Sequence, residues 1–267
     1  MSHWSEVGPD DVRLSLAQVH PSWAEAIDAG LAAVHETNPD YLPGLKFSAY
    51  LPEQGRLFAA FSMPMDSVRY ILVGEGPYPR ADSATGYCFM DGVVKNLWSD
   101  EEGGGLSKKV NRATSLRNFM KMLLVASGEL QVDATTGNAM AAIAEKARHP
   151  GSDFIQTLAA LQSNMIAQGF LLLNASLVFR ADTAPVKDAR AWQPFLEQLL
   201  STLLQQRQHE NTSMPSLVLW GKIAEQLRQM PVVNSYPQIS AEHPYNLSFI
   251  ANQTMQDFFR PMNLLVK

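Results

Sequence analysis

Three short segments and one charge cluster carry the side chains best suited to chemistry. The first segment is Gly74-Glu75-Gly76-Pro77-Tyr78-Pro79, followed soon after by Gly86-Tyr87-Cys88-Phe89. A glycine-rich turn can cradle phosphate, but the lysine of a Walker loop and the spaced glycines of a dinucleotide site are both absent. Taken alone it reads as a tight turn that needs glycine dihedrals. The second segment is Leu171-Leu172-Leu173-Asn174-Ala175-Ser176, where an asparagine in isolation is a turn former or helix cap. The third is His243-Pro244-Tyr245-Asn246-Leu247-Ser248, and a lone His-Pro is more often a loop histidine than a catalytic one. Finally, Lys108, Lys109, Arg112, Arg117 and Lys121 form a local basic cluster. It could neutralise phosphates, although such a run by itself is usually a solvated helix face.

These segments sit where strands are expected to end. Val68–Gly74, Gly169–Asn174, Ser216–Gly221 and Val232–Ser235 are short apolar stretches, each closed by a turn or polar signal. Continuous apolar runs fit strands covered on both faces. Helical patterns fall at about Ser22–His35, Ser115–Ser127, Phe154–Ala167, Ala189–Gln208 and Lys222–Gln229. Strands alternating with helices predict an α/β three-layer sandwich, with a central four-stranded parallel sheet flanked by helices. In open sheets of this kind the ligand site lies beyond the carboxyl ends of the strands. That rule selects residues 74–80, 174–176 and the stretch from Ser235 to Ser248.

Composition narrows the class. The chain has 267 residues, 46% of them hydrophobic and 18% charged, so one large α/β domain spanning 1–267 is expected rather than a disordered chain. The acidic DEEGGG stretch, Asp100–Gly105, and Val132–Asn138 read as loops inside that domain. The only cysteine, Cys88, excludes an intrachain disulfide and any Cys-built zinc site, which fits a reducing cytoplasm. No signal peptide is expected, and runs such as Phe170–Leu173 are too short to cross a membrane. The net charge of −5 argues mildly against nucleic acid unless positive charge is segregated.

Together the segments resemble the uracil-DNA glycosylases, most closely family 1. That family has a water-activating GQDPYH loop, a GLAF segment, a PPSL loop, an LLLN strand end and an HPSPLS loop. This chain keeps order and spacing as GEGPYP, GYCF, ATSL (Ala113–Leu116), LLLN and HPYNLS. Residues Gln168 through Phe195 are especially close to the family pattern. The likeness extends to Pro21–Ala26 and Phe58–Phe61, so it covers nearly the whole chain.

The resemblance implies base flipping, in which the target nucleotide leaves the stack and is read in a fitted site. Asn174 matches the asparagine that reads uracil, since an amide can accept from N3–H and donate to O4. Phe89 matches the ring that stacks on the base, and Tyr78 the one that abuts C5 and excludes a thymine methyl. His243 matches the donor to O2 as negative charge grows on the leaving base. Leu247 matches the apolar wedge that fills the vacated space, while Ser115 and Ser248 match phosphate-contacting serines. The implied partner is uracil-containing DNA, with a protein inhibitor as a further partner. No cofactor, metal or membrane is implied, and the expected state is a cytoplasmic monomer.

One position breaks the pattern. The family's catalytic aspartate corresponds to Gly76, the preceding glutamine to Glu75, and the closing histidine to Pro79. Three readings stay open. Glu75 takes over as the water-orienting carboxylate, as in the GEAPG or GEGPG loop of family 4, with Asp82 as a second candidate. Alternatively the carboxylate is lost, leaving a weakly active or DNA-binding relative. In the third reading the specificity has moved to another deaminated base. Tyr245 and Asn246 also stand where the family has Ser-Pro.

Overall fold

A computed structural model describes residues 10–267. Apolar runs of five residues become the interior strands. β1 is Tyr70–Gly74, β2 is Phe170–Asn174 and β3 is Ser216–Trp220. Every residue of β2 is buried, as expected of a strand covered on both faces. β1 pairs in parallel with β2 from Tyr70 opposite Phe170 to Gly74 opposite Asn174, and in parallel with β3 on its other side. The sheet order is β2-β1-β3-β4, with β4 at Gln238–Ala241. Leu217 N–H donates to the Pro237 carbonyl and Gly221 N–H to that of Ala241, so β4 also runs parallel to β3. The expected four-stranded parallel α/β sheet is therefore present.

The expected fourth strand at Val232–Ser235 is not. Those residues form a 3-10 turn, Pro231–Ser235, with proline at its start and Val233 fully buried. Proline's fixed φ suits a helical first position and its missing N–H serves a ladder poorly, which overrides the strand preference of Val-Val. The real strand, Gln-Ile-Ser-Ala, alternates exposed and half-buried residues along the sheet edge. Such a polar alternation carries little apolar signal.

Ten helices accompany these strands among the described residues. They are α1 (Asp10–Leu16), α2 (Ala24–Thr37), α3 (Tyr41–Gly44), α4 (Lys108–Arg112), α5 (Thr114–Ala126), α6 (Gly137–Arg148), α7 (Leu158–Ala167), α8 (Pro185–Glu210), α9 (Lys222–Leu227) and α10 (Gln253–Phe259). α7 starts later than its periodicity suggests, because the Thr157 hydroxyl accepts from Ala160 N–H and caps it there. Residues before the cap are extended, with Phe154 bridged to Val266 and Thr157 to Asn96. α8 is longer than expected: Pro185 opens it, and Asn211, in the left-handed conformation, closes it. α6 begins inside the stretch expected to be a loop.

The described residues group into two compact units. The first holds residues up to Gly92, Gly169–Leu219 and Ile223–Ile239. In it Trp192 and Phe195 of α8 pack with Phe58 and Phe61 of the 3-10 turn before β1, ring centroids 5.4–6.2 Å apart, and Gly30 of α2 lies against the Phe195 ring. The second holds Val93–Gln168, Trp220–Lys222 and Ser240–Lys267. Its core centres on Phe119, Trp220, Phe249 and Phe259.

Candidate functional site

In the first unit the site residues gather at the carboxyl ends of β1 and β2. The strands stay joined beyond their last residues, because Ala175 N–H donates to the Gly74 carbonyl and Ser176 N–H to that of Glu75. Asn174 therefore stands beside Gly74 at the sheet's rim. Its side chain is 4% exposed and makes no hydrogen bond to any described residue. Asn174 is not among the residues with a fully buried polar atom lacking a partner, so its amide keeps open bonding capacity at the rim that a ligand can fill.

The segment after Gly86 crosses these strand ends. Cys88 N–H donates to the Leu172 carbonyl and its Sγ–H to that of Leu72, locking the residue against both strands. Burial pushes the Cys88 thiol far above its usual range, so it stays protonated. This lock is what places Phe89, which is half-buried and holds a φ of 65°. A bulky side chain in the left-handed region is uncommon and strained. Tyr78 Oη lies 3.5 Å from the Phe89 carbonyl. Burial, and then the nearby Asp91 carboxylate, push the Tyr78 hydroxyl well above its usual range and keep it a neutral donor.

Space around the two glycines of the turn is very different. A Cβ on Gly74 would lie 2.9 Å from Cys88 Cβ and 3.1 Å from Asn174 Oδ1. Gly74 is thus needed for the amide to sit where it does. A Cβ on Gly76 would meet only Ser176, at 3.5 Å, an ordinary contact. Glu75 is exposed, and its carboxylate makes no hydrogen bond or ion pair with a described residue. Asp82 is exposed too, in the turn where Ser83 and Ala84 N–H groups donate to the Arg80 carbonyl.

The segment after Asn174 is fixed by a buried ionic network. Arg180 Nε and Nη2 donate to Asp188 Oδ1 at 3.0 and 2.7 Å, and Tyr41 Oη donates to the same oxygen at 2.7 Å. Hydrogen bonding to Asp188 raises the Arg180 pKa, while burial, then Asp188, push that of Tyr41 far up. Ser176 Oγ–H donates to the Val178 carbonyl and continues this brace.

The second unit carries His243, Leu247, Ser248 and Ser115. His243 and Asn246 close a turn through Asn246 N–H and the His243 carbonyl at 2.9 Å. Tyr245 N–H donates to His243 Nδ1 at 3.1 Å. That bond occupies the Nδ1 lone pair, so a neutral ring carries its proton on Nε2. Gly221, at φ 67°, makes room for the histidine: a Cβ there would stand 2.7 Å from His243 Cβ. Leu247 and Ser248 are exposed on the 3-10 turn that follows. Ser115 is half-buried in the first turn of α5.

Sequence reasoning missed the residue that holds this turn. Asn118 Nδ2, in α5, donates to the carbonyls of Pro244, Tyr245 and Asn246 at 2.8, 3.2 and 3.3 Å. Its Oδ1 accepts from Arg117 Nε at 3.2 Å. Its three acceptors lie more than 120 residues away in the chain, so nothing in the local sequence pointed to this role. The basic cluster is smaller than its sequence suggests. Lys121 is only 8% exposed, and burial, then Arg117, lower its pKa. Lys108 pairs with Glu101 at 2.7 Å. Lys109 and Arg112 remain exposed and form no ion pair among the described residues.

Comparison with known proteins identifies the family. The wild-type UNG crystal structure from Nitratifractor salsuginis superposes with a TM-score of 0.83 at 36% sequence identity, covering 97% of this chain and 96% of that one. The chain belongs to the uracil-DNA glycosylases. Among curated members of the family, the uracil-DNA glycosylase of Bacteroides thetaiotaomicron is 26% identical over 207 residues, 76% of this chain and 73% of that protein. The uracil-DNA glycosylase of Leuconostoc mesenteroides is 24% identical over 239 residues, 86% of this chain and 84% of that protein. No protein-family model matches the chain. Uracil-DNA glycosylase membership fits what the strand ends display: a buried amide with open bonding capacity beside a half-buried ring.

Proposed function

We propose that this protein is a DNA-repair glycosylase that hydrolyses the N-glycosidic bond of uracil flipped out of DNA. The carrying observation is Asn174, a 4% exposed amide with no protein partner at the end of β2. Its carbonyl accepts from uracil N3–H and its NH2 donates to O4, a pattern that cytosine inverts. Phe89 stacks on the base and Tyr78 blocks a C5 methyl. The bond breaks heterolytically: the electron pair leaves with the base, and His243 Nε2–H supports the charge that gathers on O2. Leu247 fills the vacated position in the duplex, and Ser115 and Ser248 contact phosphates.

Glu75 is the proposed water-orienting group. Its carboxylate has no protein partner and so is available to accept from a water that attacks the sugar carbon. In this reading the turn combines a family 4-like glutamate with a family 1-like Pro77-Tyr78. The open space at Gly76 favours one alternative, a weakened enzyme whose usual carboxylate position is vacant.

Single-turnover release of uracil from an oligonucleotide tests both. Asn174→Ala should lower the rate by about 10²–10³, the usual effect of removing one preorganised polar group. Glu75→Gln should lose most of the rate, and a glutamine variant as fast as wild type would transfer the role to Asp82. Faster turnover in Gly76→Asp would show that the vacant position can still serve. Wild-type protein that releases uracil no faster than Asn174→Ala would sink the glycosylase reading.

A further inference from the structure

The large apolar side chains most exposed among the described residues are mostly scattered, but two fall in one turn. Tyr245 is 66% and Leu247 69% exposed. Single exposed apolar residues are ordinary; two within three positions of a fixed turn are not. This turn is fixed. Asn118 holds three successive carbonyls, His243 takes the Tyr245 and Asn246 N–H groups at Nδ1 and its carbonyl, and Phe249 N–H donates to Asn246 O at 3.2 Å. Buried Phe249 and Ile250 anchor its far side. The backbone is therefore rigid while both side chains project into solvent.

Charge near the turn favours nucleic acid over a protein surface. Asn118, which pins the turn, bonds Arg117 of the same helix, and the preceding helix α4 carries exposed Lys109 and Arg112. An aromatic ring on a rigid support, whose anchoring asparagine is bonded to an arginine, suits stacking on bases while the backbone is held electrostatically.

We propose that Tyr245 is a second DNA-penetrating residue, whose ring stacks on the base next to the position that Leu247 fills. This rests on the glycosylase reading for the identity of the ligand and of Leu247's role. Two apolar groups on one rigid turn would hold the duplex open in two adjoining places. The ring, not the hydroxyl, carries the interaction.

The test uses a duplex with a tetrahydrofuran abasic-site analogue, flanked on either side by 2-aminopurine, whose fluorescence falls on stacking. Wild type, Tyr245→Ala and Tyr245→Phe are compared for affinity and for quenching. Tyr245→Ala should lose about tenfold in affinity together with the quench, and Tyr245→Phe should keep both. Tyr245 is exposed, so thermal unfolding should match wild type in both variants. An alanine variant that binds and quenches like wild type overturns the proposal, and so does a phenylalanine variant as impaired as alanine. Because this duplex requires no bond cleavage, failure of the enzyme reading shows separately as absent uracil release. Wild type that neither binds nor quenches this duplex overturns the stacking role as well.

Discussion

Gly74 and Gly76 flank one glutamate in the same turn and stand in opposite circumstances. Gly74 is enclosed by Cys88 and Asn174, and a Cβ there would touch both; Gly76 looks onto open space beside Ser176. The contrast separates two tasks. In the proposed reading, base recognition depends on close packing at the strand ends, where the Asn174 amide is placed by its neighbours. In the same reading, water positioning by Glu75 depends on a part of the turn that packing leaves unconstrained. Glycine at 74 is therefore a structural requirement, whereas glycine at 76 is a chemical choice.

The sharpest way to break this comparison is Gly74→Ala. The added methyl must displace Cys88 or Asn174, so stability should fall by about 1–3 kcal/mol in urea unfolding, and uracil release should fall with it. Unchanged stability would mean that the strand ends are less tightly packed than their distances imply. A smaller effect is expected from Asn118→Ala, which leaves three carbonyls short of a donor at the turn bearing His243. It should cost about 1–2 kcal/mol of stability and weaken duplex binding more than single-strand binding. The smallest effect belongs to Gly76→Ala, within about 0.5 kcal/mol of wild type in the same unfolding assay. A large loss there would show that the glycine is required by the backbone and would erase the contrast.

Much of this was legible in the sequence, for physical reasons. Buried parallel strands are nearly all apolar, so YILVG, FLLLN and SLVLW announced themselves, and asking what followed each strand selected the segments bearing Tyr78, Asn174 and His243, whose roles the family resemblance supplied. The edge strand Gln238–Ala241 was not legible, because one-sided burial leaves a weak alternation, and Val232-Val233 drew the assignment instead. Lys121 read as part of a basic face although its helix buries it. Asn118 was hidden for a related reason: a polar residue that serves distant carbonyls has no local signature. What sequence conveys poorly is which side of an element a polar group faces.

One consequence follows from the bond between Tyr245 N–H and His243 Nδ1. It uses a main-chain donor, so any residue except proline at 245 can supply it. The side chain at that position can change freely while the imidazole keeps its tautomer. In the proposed reading, DNA contact and the hydrogen bond to the leaving base are thereby carried on one short turn yet are separately adjustable. A lineage could retune how this turn meets its substrate without disturbing the chemistry two residues away.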